Sequence, residues 1–195
     1  KAAYQEIIDR FKLADFRVFS EKRPANTVVK IYAKKVVNQI DSLLDKSKNK
    51  YRLEKAMKDD IELVYQWQCH PETRKYALNS EPPSWEGHDK WMQNKIENRY
   101  QDYFYLVKNI EFNKRVGVVR LDRISDGEYL ISIFVAPDFH GKGVGLFAVK
   151  ILNILHPQIT IRATVLEENK ASQQLFKKAK YHKVSADEFI RYPVK

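Results

Sequence analysis

Residues 131–152 read ISIFVAPDFHGKGVGLFAVKIL, and this stretch decides the fold. From Ile131 to Ala136, β-branched and aromatic residues crowd a strand-length run, and Pro137 ends it because proline has no N–H to give to a ladder. After His140, glycines 141, 143 and 145 alternate with Lys142 and Val144, and from there apolar residues recur at helical spacing. The order is strand, glycine loop, helix. Glycine places no Cβ before the loop, and the first turn of a helix leaves backbone N–H groups without acceptors, so an anion such as a pyrophosphate can approach closely. Two other phosphate loops are excluded by spacing. A Walker loop follows Gly-Lys with a hydroxyl residue, and Gly143 stands there instead; a dinucleotide fingerprint would need glycine at residue 146 or 148, where Leu146 and Ala148 stand. A tight glycine turn that joins strand to helix and binds nothing is the other reading of the same residues.

The chain of 195 residues is long enough for one well-filled domain with a small appendage. Its single cysteine, Cys69, excludes an intrachain disulfide and a multi-cysteine zinc site, and fits a reducing compartment. No apolar run approaches the ~20 residues needed to span a bilayer, and the first residues lack the apolar core of a signal peptide. The expectation is a cytoplasmic protein with no metal and no membrane partner. The chain opens at Lys1 rather than methionine, which leaves room for a start upstream and for its being part of a longer protein. The formal net charge is +10, and residues 1–50 hold 12 basic against 6 acidic side chains while residues 51–195 hold 23 against 19. These charges are scattered, with no basic block interleaved with aromatics, so a nucleic-acid partner is not expected. The excess suits a small polyanion.

In chain order, Tyr4, Ile7, Ile8 and Phe11 fall at helical spacing, residues 16–19 are a short apolar run, and residues 28–44 repeat Val, Ile and Leu at intervals of three and four. Residues 1–50 therefore read as a mainly helical appendage, with residues 46–50 as a linker. A second domain, 51–195, follows. Residues 51–56 alternate as a strand, Asp59 and Asp60 are good helix caps, and Ile61, Val64, Tyr65 and Trp67 define a helical face. Ser84 caps a helix that carries Trp85, His88, Trp91 and Met92. Residues 103–107, 115–121 and 129–136 read as three antiparallel strands, residues 159–165 as a further strand, and residues 181–184 and 189–194 as a closing hairpin.

Residues 140–145, after a strand ending in Val135-Ala136-Pro137, resemble motif A of the GCN5-related N-acetyltransferases (GNAT), Arg/Gln-x-x-Gly-x-Gly/Ala, with His140 in the first place. Residues 168–176, ENKASQQLF, resemble the second family signature, and WQCHPETR at residues 67–74 resembles a W-x-N-D-P-E-x-R pattern with Trp67, Pro71, Glu72 and Arg74 matching. That last pattern occurs in GNAT members that acetylate nucleotide-linked amino sugars and in protein N-terminal acetylases. The resemblance implies an α+β fold, a mixed and mostly antiparallel sheet of six to seven strands with helices on both faces. It also implies acetyl-CoA as co-substrate. Backbone groups of Phe134 and Val135 on a splayed strand would pair with pantetheine, and His140, Gly141, Lys142, Gly143, Val144 and Gly145 would cradle the pyrophosphate. Asn169 would contact the pantetheine arm, Ser172 would face it one turn later, and Phe176 would pack in the core or on the cofactor. Many relatives carry tyrosine at Phe176, whose hydroxyl protonates the leaving thiolate, and glycine at Lys180; here Tyr181, solvent or substrate would supply the proton.

The resemblance implies acceptor choice at the early helices, the wall opposite the acetyl-CoA cleft, where Asn79, Glu81, Trp85, His88 and Trp91 form an aromatic and polar cluster. Tryptophan stacks well on a base or sugar, yet an aromatic helical face also serves as core, and both readings stand. Leu130 occupies the place where relatives often carry glutamate, so Glu81 or His88 is the candidate base. Three functions compete. The first is acetylation of an amino sugar on a nucleotide, resembling the enzymes of pseudaminic-type nonulosonic acid pathways. The second is acetylation of a protein N-terminus, as in the ribosomal-protein acetylases, and the third is a silent CoA-binding module. A small-molecule amine is the expected partner, and a homodimer is compatible with the sequence.

Overall fold

The computed structural model describes residues 50–97 and 102–194. The helical appendage and nearly all of its linker lie outside the described residues. Strand β1 (Tyr51–Lys55) leads through a 3-10 turn at Lys58–Asp60 into helix α1 (Ile61–Cys69). Asp60 caps the start of the turn by accepting from the Met57 N–H at 2.9 Å. Helix α2 (Pro71–Arg74) follows at once. Proline pre-sets the helical φ at its first position, and His70 Nδ1 accepts from the Glu72 N–H at 3.2 Å. Helix α3 (Trp85–Glu97) begins as its cap residue requires, with Ser84 Oγ accepting from the Gly87 N–H at 3.2 Å.

Strands β2 (Tyr103–Asn109), β3 (Lys114–Ser125) and β4 (Glu128–Val135) form an antiparallel meander, and helix α4 (Val144–Leu155) returns the chain to β5 (Thr160–Thr164). Helix α5 (Lys170–Lys178) precedes the short hairpin of β6 (His182–Lys183) and β7 (Glu188–Arg191). The seven strands lie in the order β1-β2-β3-β4-β5-β7-β6, and only β4 and β5 run parallel. This is the mixed, mostly antiparallel sheet that the resemblance implies.

Alternation along the strands sends side chains to two cores. Phe104, Leu106 and Val118 pack beneath α1 and α3 with Ile61, Val64, Met92 and Ile96. Tyr105, Val107, Val119, Leu121 and Ile131 pack on the other face with Val144, Ala148, Val149 and Leu152 of α4 and Phe176 of α5. Each fully buried Leu or Val contributes about 1.5–3 kcal/mol, so the sheet is held from both sides. Gly117 lets β3 and β4 close up, because a Cβ there would lie 2.9 Å from the Phe134 carbonyl oxygen.

One discontinuity matters. Strand β4 pairs with β5 only through Glu128↔Thr160, Tyr129↔Ile161 and Leu130↔Arg162. Beyond Leu130, β4 continues against β3 as far as Val135↔Gly117, while β5 continues against β7 as far as Thr164↔Glu188. The two strands part, and a wedge opens between them.

Candidate functional site

The wedge exposes one edge of β4, and the ladder fixes which residues face it. Ala136 N–H donates to the Val116 carbonyl at 2.9 Å, so Phe134 and Ser132, at even steps from Ala136, also turn their backbone groups to β3. The odd residues Ile133 and Val135 turn theirs to the gap. Thr160 N–H donating to the Gly127 carbonyl at 2.8 Å shows the same parity at the closed end. The expected pairing through Phe134 is thereby corrected. Its amide and carbonyl belong to β3, and Ile133 takes its place on the open edge. The Phe134 side chain meets Trp67 on the α1 face, ring centroids 6.2 Å apart.

The glycine loop follows directly. After a 3-10 turn at Pro137–Phe139, His140 Nε2 lies 2.9 Å from the Val135 carbonyl, and since a carbonyl only accepts, Nε2 carries the proton. Gly141 and Gly143 have φ of +72° and +81°, and a Cβ on either would meet nothing within 4 Å. The space before the loop is open. Helix α4 makes its first hydrogen bond from Phe147 N–H to the Gly143 carbonyl, so the amides of residues 143–146 precede the helical ladder and point out of its end. Gly145 serves packing, because a Cβ there would lie 3.4 Å from Leu175 of α5. The Lys142 ammonium lies over the Phe139 ring at 4.9 Å, and the Tyr51 hydroxyl donates to the Lys142 carbonyl at 3.1 Å.

At the second signature, Asn169 is the cap of α5. Its Oδ1 accepts from the Ser172 N–H at 3.0 Å, which orients both residues at the helix start. Phe176 stands elsewhere. It is 2% exposed, and its ring meets Tyr181 at 5.1 Å and Phe189 at 5.8 Å. Tyr181 N–H donates to the Phe176 carbonyl and Lys180 N–H to the Lys177 carbonyl, both at 3.0 Å, with Lys180 at φ +64°. These bonds form a Schellman cap, in which the Phe176–Tyr181 contact is the expected apolar clasp. Phe176 is a core residue. Tyr181 as proton donor is corrected too: its hydroxyl is buried and donates to Asn153 Oδ1 at 2.8 Å, and burial pushes its pKa well up.

On the α1 and α3 face, His88 is 2% exposed, with Nε2 3.0 Å from the Ile61 carbonyl and Nδ1 3.2 Å from Gln68 Oε1. Both nitrogens are occupied, and burial lowers the imidazole pKa. His88 therefore ties α3 to α1 and does not reach a substrate, which corrects its two expected roles. Arg74 gathers the loop ahead of α3, donating to the carbonyls of Asn79 at 3.0 Å and Glu81 at 3.1 Å, and Asn79 Oδ1 accepts from the Glu81 N–H at 3.0 Å. Asn79 thus shapes the loop, and Glu81 is presented on its exposed surface. Trp85 is 45% exposed and stands edge-on to Tyr65 at 5.2 Å. Trp91 is half-buried against Phe104, with the Arg120 guanidinium 4.7 Å above its ring.

Strand β3 also carries a row of charges that reaches α3 and β4. Arg120 donates to Asp122 Oδ2 at 2.7 Å and to Ser132 Oγ at 3.2 Å, and Lys95 bridges Asp122 and Asp102 at 2.8 Å each. Two charges at alternate places on either side of buried Leu121, directly after the apolar residues 116–119, were the signal. Among the described residues no group of His, Cys, Asp and Glu could hold a metal ion, and no helix is long and apolar enough to cross a membrane.

A family model described as "Acetyltransferase (GNAT) domain" matches residues 50–182, well over half of the chain. The chain belongs to this family, and its class is that of N-acetyltransferases with acetyl-CoA as donor. No curated protein matches the sequence. Among solved structures, a domain from Methanocaldococcus jannaschii is similar at 24% identity, with TM-score 0.61 over 72% of this chain and 96% of that one. A ribosomal-protein alpha-N-acetyltransferase in complex with coenzyme A is similar at 15% identity, with TM-score 0.63 over 75% and 96%. A spermidine N-acetyltransferase from Vibrio cholerae, in complex with CoA and spermine, is similar at 17% identity, with TM-score 0.62 over 70% and 83%.

Proposed function

We propose that the wedge between β4 and β5 and the glycine loop bind acetyl-CoA, and that the acetyl group passes to the primary amine of a nucleotide-linked amino sugar. The observation that carries the first half is the parting of β4 and β5 after Leu130, directly before a loop with two open, left-handed glycines. A long amide-bearing arm such as pantetheine pairs with an unpaired strand edge through the Ile133 N–H and carbonyl and the Val135 N–H. The diphosphate accepts from the amides of Gly141, Gly143, Val144 and Gly145 before and at the start of α4, where the helix dipole favours negative charge. Asn169 and Ser172 at the start of α5 border the arm.

In the transfer, the amine nitrogen attacks the thioester carbon. The C–N bond forms, the C–S bond breaks, and the thiolate leaves with a proton from solvent, since neither Phe176 nor Tyr181 offers one. An amide N–H at the β4 edge polarises the carbonyl. Holding both reactants in register contributes about 7 kcal/mol or more. Glu81 takes the amine proton from its exposed position on the Arg74-bound loop.

For the acceptor, the exposed side of Trp85 supplies stacking surface for a base or sugar, while Trp91, covered by Phe104 and Arg120, packs the wall beneath it. Leu78, 69% exposed on the same loop, leaves this wall open enough for a peptide, which favours a protein N-terminus as the second reading. A thiol-release assay against nucleotide-linked amino sugars, N-terminal peptides and polyamines tests the proposal. Turnover with the amino sugars at the highest kcat/KM supports it. Preferred turnover of peptides transfers the function to the second reading, and the absence of release with every acceptor refutes both.

A further inference from the structure

We propose that Tyr51 is a positioning residue for the glycine loop, gripping the Lys142 carbonyl so that the Gly143 amide is aimed at the bound anion. The inference rests on the reading that the loop takes the diphosphate of coenzyme A. Tyr51 opens β1, 91 residues before its partner, and its hydroxyl donates to the Lys142 carbonyl at 3.1 Å. The side chain is 9% exposed, and its ring packs against Phe147 of α4 at 5.8 Å. Burial raises the phenol pKa, so the hydroxyl remains a donor at physiological pH.

The peptide it holds needs holding. Lys142 lies between two glycines at positive φ, and glycine populates both signs of φ about equally, so the Lys142–Gly143 peptide has little intrinsic preference for one orientation. In a trans peptide the C=O and N–H point in opposite directions. A carbonyl drawn inward to a buried hydroxyl therefore sends the Gly143 N–H outward, into the space where a Cβ on Gly141 or Gly143 would meet nothing. The same bond polarises the amide and makes its N–H a stronger donor.

Tyr51→Phe keeps the ring and its contact with Phe147 while removing the hydroxyl. Titration calorimetry with coenzyme A and with pantetheine, which lacks the diphosphate, separates positioning from packing. The expected result is a rise of about three- to ten-fold in the coenzyme A Kd, the worth of one neutral hydrogen bond, with the pantetheine Kd unchanged and a fall in Tm of no more than about 2–4 °C. An unchanged coenzyme A Kd overturns the role of Tyr51, as does equal weakening of both ligands with a larger fall in Tm, which marks a packing role alone. Wild-type protein that binds no coenzyme A overturns the reading of the loop and this inference with it.

Discussion

His140 donates from Nε2 to the carbonyl of Val135 at 2.9 Å, closing the last residue of β4 onto the loop that follows it. The family pattern places arginine or glutamine here, and both can donate to the same carbonyl. His140→Ala should raise the acetyl-CoA KM about three- to ten-fold through loss of this bond, while His140→Gln should stay close to wild type. Steady-state kinetics at saturating acceptor checks the pair.

Gly143 has room for a side chain in front of it but not the backbone for one. Gly143→Trp fills the open space before the loop and should abolish coenzyme A binding in calorimetry, with the far-ultraviolet circular dichroism of the wild type retained.

Gly117 is a packing glycine. In Gly117→Ala the new methyl meets the Phe134 carbonyl 2.9 Å away, within a ladder that cannot shift freely. The cost should be about 1–3 kcal/mol, read as a lower urea midpoint with an unchanged slope.

Lys180 holds a left-handed backbone, φ +64°, at the Schellman position that glycine favours. Lys180→Gly should stabilise the fold by about 1 kcal/mol in the same urea experiment, and Lys180→Ala should bring no gain.

His88 gives the stability a pH dependence. Burial lowers its imidazole pKa below the ordinary 6.5, so between 6.5 and the lowered value the unfolded chain binds a proton that the folded one does not. Its contribution is full above about pH 6.5 and is lost as the pH falls through the lowered value. Thermal unfolding from pH 8 to pH 5 should show this loss, and His88→Gln, less stable throughout, should show a shallower decline.

Local chemistry made much of this legible. Proline, glycine spacing and alternation placed the strands, the loop and α4, because each depends on residues adjacent in the chain. Register was not legible. Whether Phe134 or Ile133 faces the gap is decided by the turn at Gly127 and the irregularity between Arg123 and Ser125, which set the parity of the whole β3–β4 ladder. His88 was misread for a related reason, since a helical face of aromatics looks alike whether it meets solvent or the Ile61 carbonyl. Phe176 and Tyr181 lie one turn apart at a helix end, and only the cap geometry shows that they clasp each other. Arg120 and Asp122 carried a signal in plain view, two charges on one face where the buried middle of β3 ends.

The central claim is that the open edge of β4 and the glycine loop hold coenzyme A. A crystal structure of the protein grown with acetyl-CoA tests it most directly. The account predicts the diphosphate within hydrogen-bonding distance of the amides of Gly141, Gly143, Val144 and Gly145, and the pantetheine arm paired with Ile133 and Val135. Coenzyme bound elsewhere, or a wedge left empty at saturating coenzyme, would contradict it.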